Sequence, residues 1–434
     1  MIEAASSGSG GSGTAAEAET TGRYIVIFAG TDTDASAVLS SAAGLSNVAS
    51  SRDFRNRGAD LSETRDADAT VFASLGMAVV SANAEQAAAL QASSGSQGKV
   101  ISVVPELVHR VLTDSSSVYA HGYRDGVADL TARLDSGADT GNGSGDRPAN
   151  FEDSATATWG LQATRATSSP QSGKGIKVAV LDTGFDASHP DFAGRNVTAE
   201  SFTPGESAQD GHGHGTHCIG TACGPRSPST GPRYGVAYEA DIFAGKVLGN
   251  AGSGNDGGIL AGIDWAVSND CAVISMSLGA DVAQVHPPYT AAGRRALQQG
   301  SLIVAAAGNN AERDAGNFGF VGTPANSPFI IATAALNQQL KLAGFSARSA
   351  PARGGQVDVA GPGFEVYSSW PMPERYKTIS GTSMATPHAA GIAALWAGAT
   401  GHRGLELWAT IVQEAQRLHA PSVDVGAGLV LAPQ

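Results

Sequence analysis

The sequence predicts an α/β protein, a parallel sheet with helices on both faces, preceded by a small α+β domain. Three observations carry this. From about residue 153 onward, short apolar runs alternate with helix-forming stretches, the pattern of a parallel sheet covered on both sides. The runs themselves, such as Lys-Val-Ala-Val-Leu at 177–181, lack the polar alternation of a strand with one wet face. Before them, residues 22–112 carry strand and helix signals in the order β-α-β-β-α-β, that of a ferredoxin-like unit.

Taken in order, residues 1–21 are rich in Gly, Ser and small polar residues and read as a flexible tail. Residues 24–28, Tyr-Ile-Val-Ile-Phe, predict a strand, and 35–43 a helix. Residues 53–67 are polar and Arg-rich and read as a loop. Strands are predicted at 70–72 and 77–81, a helix rich in Ala, Gln and Leu at 84–91, and a last strand at 100–104 that ends at Pro105. This domain holds no cluster of reactive side chains, so its expected role is structural or inhibitory. Residues 117–134 have helical spacing, with Tyr119, Tyr123, Val127, Leu130 and Leu134 in one row. Residues 137–150, rich in Gly, Asp and Asn, read as an exposed linker of the kind where chains are cut. The expected plan is a tail (1–21), a first domain (22–112), a helix and linker (113–152) and a main domain (153–434).

In the main domain, strands are predicted at 177–181, 241–248, 272–278, 302–307 and 329–335, and helices at 257–268, 289–299, 383–398 and 405–418. Residues 389–396 are apolar on every side, as in a buried helix. Asp182 and Asn309 fall at the carboxyl ends of strands, where open α/β sheets bind their ligands.

With 434 residues, 42% hydrophobic and 15% charged, the chain has ample core for more than one domain. Its net charge of −13 argues against nucleic acid or an anionic membrane as partner. No apolar run reaches the length of a membrane span. Three cysteines are too few for a disulfide framework, and the odd number leaves at least one unpaired. Residues 1–15 lack the basic start and apolar centre of an export signal.

The chemistry centres on Ser383, in Gly381-Thr382-Ser383-Met384-Ala385-Thr386-Pro387-His388. A hydroxyl at the mouth of a central helix meets free N–H groups and a dipole that favour developing negative charge. Serine is a poor nucleophile without a base, and the base is usually a histidine oriented by a buried carboxylate. His214, in Gly213-His214-Gly215-Thr216-His217, is the candidate base, and Asp182 the candidate carboxylate. Asp, His, Ser is one of the chain orders in which this triad occurs. Asn309, after Ala305-Ala306-Ala307-Gly308, can donate its amide to an oxyanion together with the Ser383 backbone N–H. Each piece alone is weak, and the set is specific.

Together these motifs, with His189-Pro190-Asp191 and Ser275-Met276-Ser277-Leu278-Gly279, resemble the subtilisin-like serine peptidases, the subtilases, over residues 153–400. The resemblance implies a subtilisin-like α/β domain and a serine endopeptidase. Asp182 would orient the base, His214 serve as base and then acid, Ser383 attack and Asn309 hold the oxyanion. Ser277, Leu278 and Gly279, and Gly252, Ser253 and Gly254, would flank extended substrate. Ala306, Ala307 and Gly308 would wall the pocket for the residue before the cut, with Gly322 at its base. Small walls imply a bulky apolar residue there, such as Phe, Leu or Met. Asn310 stands where the rim often carries an acid, so Lys and Arg are expected to be disfavoured. Residues 22–112 look like the subtilase propeptide, an inhibitor whose end lies in the cleft. The expected product is a self-processing zymogen cut between Leu112 and Phe151. Its expected partners are polypeptide substrates and its own first domain, and its expected state is a monomer, secreted as most relatives are.

The chain departs from the family at residues 224–235, rich in Pro, Gly and Arg, where many relatives carry a calcium-binding loop. Asp191 matches a calcium-ligand position, but one carboxylate is not a site. No cofactor is therefore required, and a structural calcium stays open without a clear motif to hold it. Cys223 and Cys271 either pair or stay free. His189, His212, His217 and His388 read as structural, with His212 near enough to His214 to influence it. Two other functions stay open on sequence: a processing protease with one intracellular partner, and a peptide-binding scaffold without turnover.

Overall fold

The computed structural model describes residues 18–54, 57–95, 98–112, 150–350 and 355–434. The proposed helix at 117–134 and the linker at 137–149 lie outside them.

The first domain runs β1 (Thr20–Phe28), α1 (Ala35–Ala43), β2 (Val48–Ser50), β3 (Ala69–Phe72), β4 (Met77–Val80), α2 (Ala84–Ala92) and β5 (Val100–Val111). The expected order holds, with the short β2 added beside β3. β1 begins inside the stretch read as tail. β5 does not stop at Pro105 but continues to Val111. Both helices start on capping side chains, Asp34 and Asn83, each accepting a backbone N–H of the first turn. One face of this sheet buries Val26, Phe28, Val103 and Leu90 of α2 with Val38 and Leu39 of α1. The other face, Ile25, Ile27, Met77 and Val79, joins the core of the main domain.

The main domain opens with α3 (Trp159–Ala163), β6 (Lys177–Asp182), β7 (Val197–Ser201), α4 (His214–Cys223), β8 (Asp241–Lys246), β9 (Ser253–Asn255) and α5 (Asp256–Ser268). It continues with β10 (Val273–Met276), β11 (Leu278–Gly279), α6 (Pro287–Gln298), β12 (Leu302–Ala306), β13 (Ile331–Leu336), β14 (Val359–Pro362), β15 (Val366–Ser369) and β16 (Tyr376–Ile379). It ends with α7 (Thr382–Thr400), α8 (Gly404–Gln413) and the short α9 (Ser422–Val425). Seven strands form one sheet in the order β14-β13-β12-β10-β6-β8-β7. Every pairing in it is parallel. Val178, Ala179, Val180 and Leu181 are all buried, as the unbroken apolar run requires. α7 lies beneath the sheet with α4 in a second core.

The two domains share a further sheet. β5 pairs with β1 along its first part and, toward its end, lies between β9 on one edge and β11 on the other, all antiparallel to it. On the far side of β9, α5 and α6 face the first domain. Arg295 of α6 donates to the carbonyls of Phe28, Leu75 and Gly76, and Asp264 of α5 accepts the N–H groups of Ser74 and Leu75.

Candidate active site

Asp182 closes β6 and His214 opens α4, and the fold brings them together. His214 Nδ1 lies 2.7 Å from Asp182 Oδ1, with both side chains buried. The entry to α4 needs glycine. Gly213 has φ +107°, and a Cβ there would enter the ring of Trp370. A Cβ on Gly215 would strike the Gly184 carbonyl. Burial alone would press the His214 pKa down. The Asp182 carboxylate, helped by Cys218, reverses this and holds it well above the ordinary histidine value.

Asp210, which the sequence reading passed over, fixes this entry. Its carboxylate accepts the N–H groups of His212, Gly213 and Thr216 and the hydroxyls of Thr216 and Thr183 at 2.7–3.0 Å. Burial works to raise its pKa, but these donors outweigh it and hold the group below the usual carboxylate range. Lys246, also missed, is fully buried, and its ammonium donates to Thr183 O at 2.5 Å and Asn250 Oδ1 at 2.8 Å. No motif marks either residue. Only the pairing of Asp182 with Lys246 across β6 and β8 brings the lysine here.

Ser383 is the second residue of α7. Its Oγ lies 2.8 Å from the carbonyl oxygen of Leu112 and 3.2 Å from that of Ser277. His214 Nε2 is buried with no hydrogen-bond partner, so the serine–histidine bond is not made while Leu112 is seated. Pro387, four residues on, has no N–H to offer the Ser383 carbonyl. That oxygen instead accepts from Ser277 Oγ at 2.7 Å and Cys218 Sγ at 3.6 Å, which ties α7 to the link between β10 and β11 and to α4.

Asn309 follows β12. Its Oδ1 accepts the N–H and hydroxyl of Thr382, which fixes the amide orientation and points its NH₂ outward. Nδ2 donates to Leu112 O at 2.6 Å. The expected second donor, the Ser383 backbone N–H, makes no hydrogen bond to Leu112 O here.

Of the residues expected to flank substrate, Leu278, Gly279, Gly252, Ser253 and Gly254 lie along β5. Val111 pairs with Leu278 and Arg110 with Gly279 on one side. His109 pairs with Gly254 and Arg110 with Ser253 on the other, and Val111 N donates to Gly252 O at 2.9 Å. Ala306 and Ala307 are buried, Gly308 N donates to Thr382 Oγ1, and Gly322 N donates to Ala307 O. Leu112, just past the end of the strand, was named on sequence as the edge of the first domain and the start of the stretch expected to be cut.

The other histidines hold the fold. His189 accepts Asp191 N, His217 bonds the Val366 and Lys377 carbonyls, and His388 bonds Met384 O. Burial presses His217 down to about 3 and His388 down to about 4, so both are neutral. The same desolvation, with His214 alongside, lowers His212. All three cysteines are free and buried. Asp191 does not fit a calcium ligand. Its oxygens accept Ser229 N and Tyr234 OH at 2.6 Å and Tyr376 OH at 3.1 Å, and a cation needs acceptors around it, not donors.

The model of the Subtilase family matches residues 173–428, more than half of the chain. The chain belongs to the subtilase family. It is 40% identical to thermitase from Thermoactinomyces vulgaris over 261 residues, 60% of this chain and 88% of thermitase. It is 40% identical to subtilisin E from Bacillus subtilis (strain 168) over 237 residues, 54% of this chain and 58% of subtilisin E. M-protease from Shouchella clausii (strain KSM-K16) is 41% identical over 241 residues, 55% of this chain and 58% of M-protease. This subtilase is accordingly a serine-type endopeptidase, and its substrates are polypeptides.

Proposed function

We propose that this endopeptidase is made as a zymogen whose first substrate is its own Leu112–Thr113 bond. One observation carries the reading: the Leu112 carbonyl oxygen is held by Ser383 Oγ at 2.8 Å and Asn309 Nδ2 at 2.6 Å. In this reading the Ser383 oxygen attacks the Leu112 carbonyl carbon while His214 takes its proton, and Asp182 stabilises the imidazolium. Asn309 donates to the resulting oxyanion. Collapse breaks the Leu112–Thr113 bond, with His214 protonating the new amine. Water then hydrolyses the acyl-enzyme and leaves a carboxylate on Leu112. Substrates in trans take the place of β5 between β9 and β11, bonded through their backbone, which is β-strand addition. The leucine and the small walls favour a bulky apolar residue before the cut. Asp191 in its ring of donors leaves catalysis independent of a metal at that position.

Intact mass over time, for the wild type and Ser383→Ala in parallel, tests this. The expected wild-type product starts at Thr113, and the variant stays whole. A new terminus elsewhere, or equal clipping of both, contradicts it. The unmade serine–histidine bond is the one feature a non-catalytic scaffold would also show. Labelling of Ser383 by a fluorophosphonate in the cut enzyme separates the two.

A further inference from the structure

The wall beside the Leu112 side chain leads to a carboxylate. The Leu112 side chain enters beside Gly279, where an added Cβ would stand 3.1 Å from Leu112 Cδ1. The chain beyond Gly279 runs through Ala280 to Asp281 and is locked to the opposite wall. Ala280 N donates to Thr323 O at 2.9 Å, next to Gly322. The buried Asn326 amide reaches the carbonyls of Val282, Gln284 and Ala283 at 3.0, 3.2 and 3.3 Å and pins the segment that follows Asp281. The Asn310 side chain bridges the two walls, accepting Phe320 N at 2.9 Å and donating to Asp281 Oδ1 at 2.9 Å.

The absence of an acid after Asn309 led the sequence reading to expect rejection of Lys and Arg. The carboxylate is present, supplied by Asp281 from across the pocket. It is exposed, held on a fixed loop by one oxygen, and unpaired with any cation among the described residues. We propose that Asp281 is a specificity-determining residue that admits a second class of substrate, with Lys or Arg before the scissile bond. The slot is walled by Ala and Gly and takes the aliphatic stem. The cationic head, which reaches past where the Leu112 methyls lie, meets the Asp281 carboxylate. The molecule's net charge of −13 draws such cationic chains in.

This rests on the peptidase reading above. The test uses the full chain, left to process itself and counted by active-site titration, on four peptides that differ only in Phe, Gln, Lys or Arg before the cut. The expected result is cleavage of the Lys and Arg peptides faster than the Gln peptide, by a margin that shrinks as salt rises. In Asp281→Asn and Asp281→Ser, the kcat/KM ratio of Lys or Arg to Phe falls about 1.5–5-fold, the range of an exposed rim charge. An unchanged ratio in a variant that cleaves the Phe peptide overturns the role of Asp281. So does a wild type that cuts Phe but favours Gln over Lys and Arg, and this needs no variant. Failure to cut any of the four overturns the peptidase reading and this inference with it.

Discussion

Asn309 divides one amide between two tasks. Its oxygen is held by Thr382, and its nitrogen faces the carbonyl that the serine approaches. Because the amide cannot rotate, its donor is in place before charge develops, and it costs no reorganisation. Replacing it with Ala should lower kcat by about 10²–10³, a range taken from a subtilisin oxyanion donor rather than from this chain, with little change in KM. Steady-state kinetics on one peptide decides it, and a loss falling mainly on KM would contradict it. Asp182, His214, Asn309 and Ser383 were legible because each sits in a short run whose glycines and small residues serve the same local task. Asp210, Lys246 and Asp281 were not. Their roles come from pairing across space, through Thr183, through β8 and through Asn310, and no local spacing encodes it.

At the scale of elements, the strands and helices of the parallel sheet were legible from apolar runs, and the decisive strand was not. β5 was expected to stop at Pro105, but it runs on through residues 106–111, Glu-Leu-Val-His-Arg-Val. There Glu106 and His109 are fully buried. They face the start of α5, whose Asn255 cap leaves other first-turn donors free. Glu106 accepts Gly257 N at 2.8 Å and is paired with Arg23 at 2.7 Å. Asp256 accepts Leu107 N and contacts His109 and His286. Burial acts to raise the Asp256 pKa, but hydrogen bonds from the two histidines outweigh it and leave it well below the carboxylate range. Glu106→Ala removes a charge-assisted contact worth about 1.5–3 kcal/mol. The lag before protease activity appears should shorten about tenfold or more. An unaltered lag would mean that the strand ladder alone holds the first domain in place.

At the scale of the molecule, Asp264 makes the grip between domains depend on pH. Burial between α5 and the first domain pushes its carboxyl up to about 6, against hydrogen bonds from Ser51, Ser74 and Leu75 that lower it. Separation returns it to water and to the ordinary value near 3.8. Docking therefore takes up a proton. This contribution is full below about pH 4 and is lost as pH rises through 6, amounting to about 3 kcal/mol at most. In the uncut Ser383→Ala chain, hydrogen exchange along β5, corrected for intrinsic rate, should be slower at pH 5 than at pH 7.5. Asp264→Asn should narrow that difference, and a gap of full size in this variant would assign the effect elsewhere.

The shared sheet also leaves a debt when it comes apart. Without β5, the edges of β9 and β11 that it covered stand bare across a gap one strand wide, with their N–H and C=O groups open to any extended chain. A frayed loop or terminus of a neighbouring molecule is such a chain. On the proposed processing the freed enzyme would be its own nearest prey, and its shelf life should fall with concentration as a second-order decay, where simple unfolding would give a lifetime independent of dose.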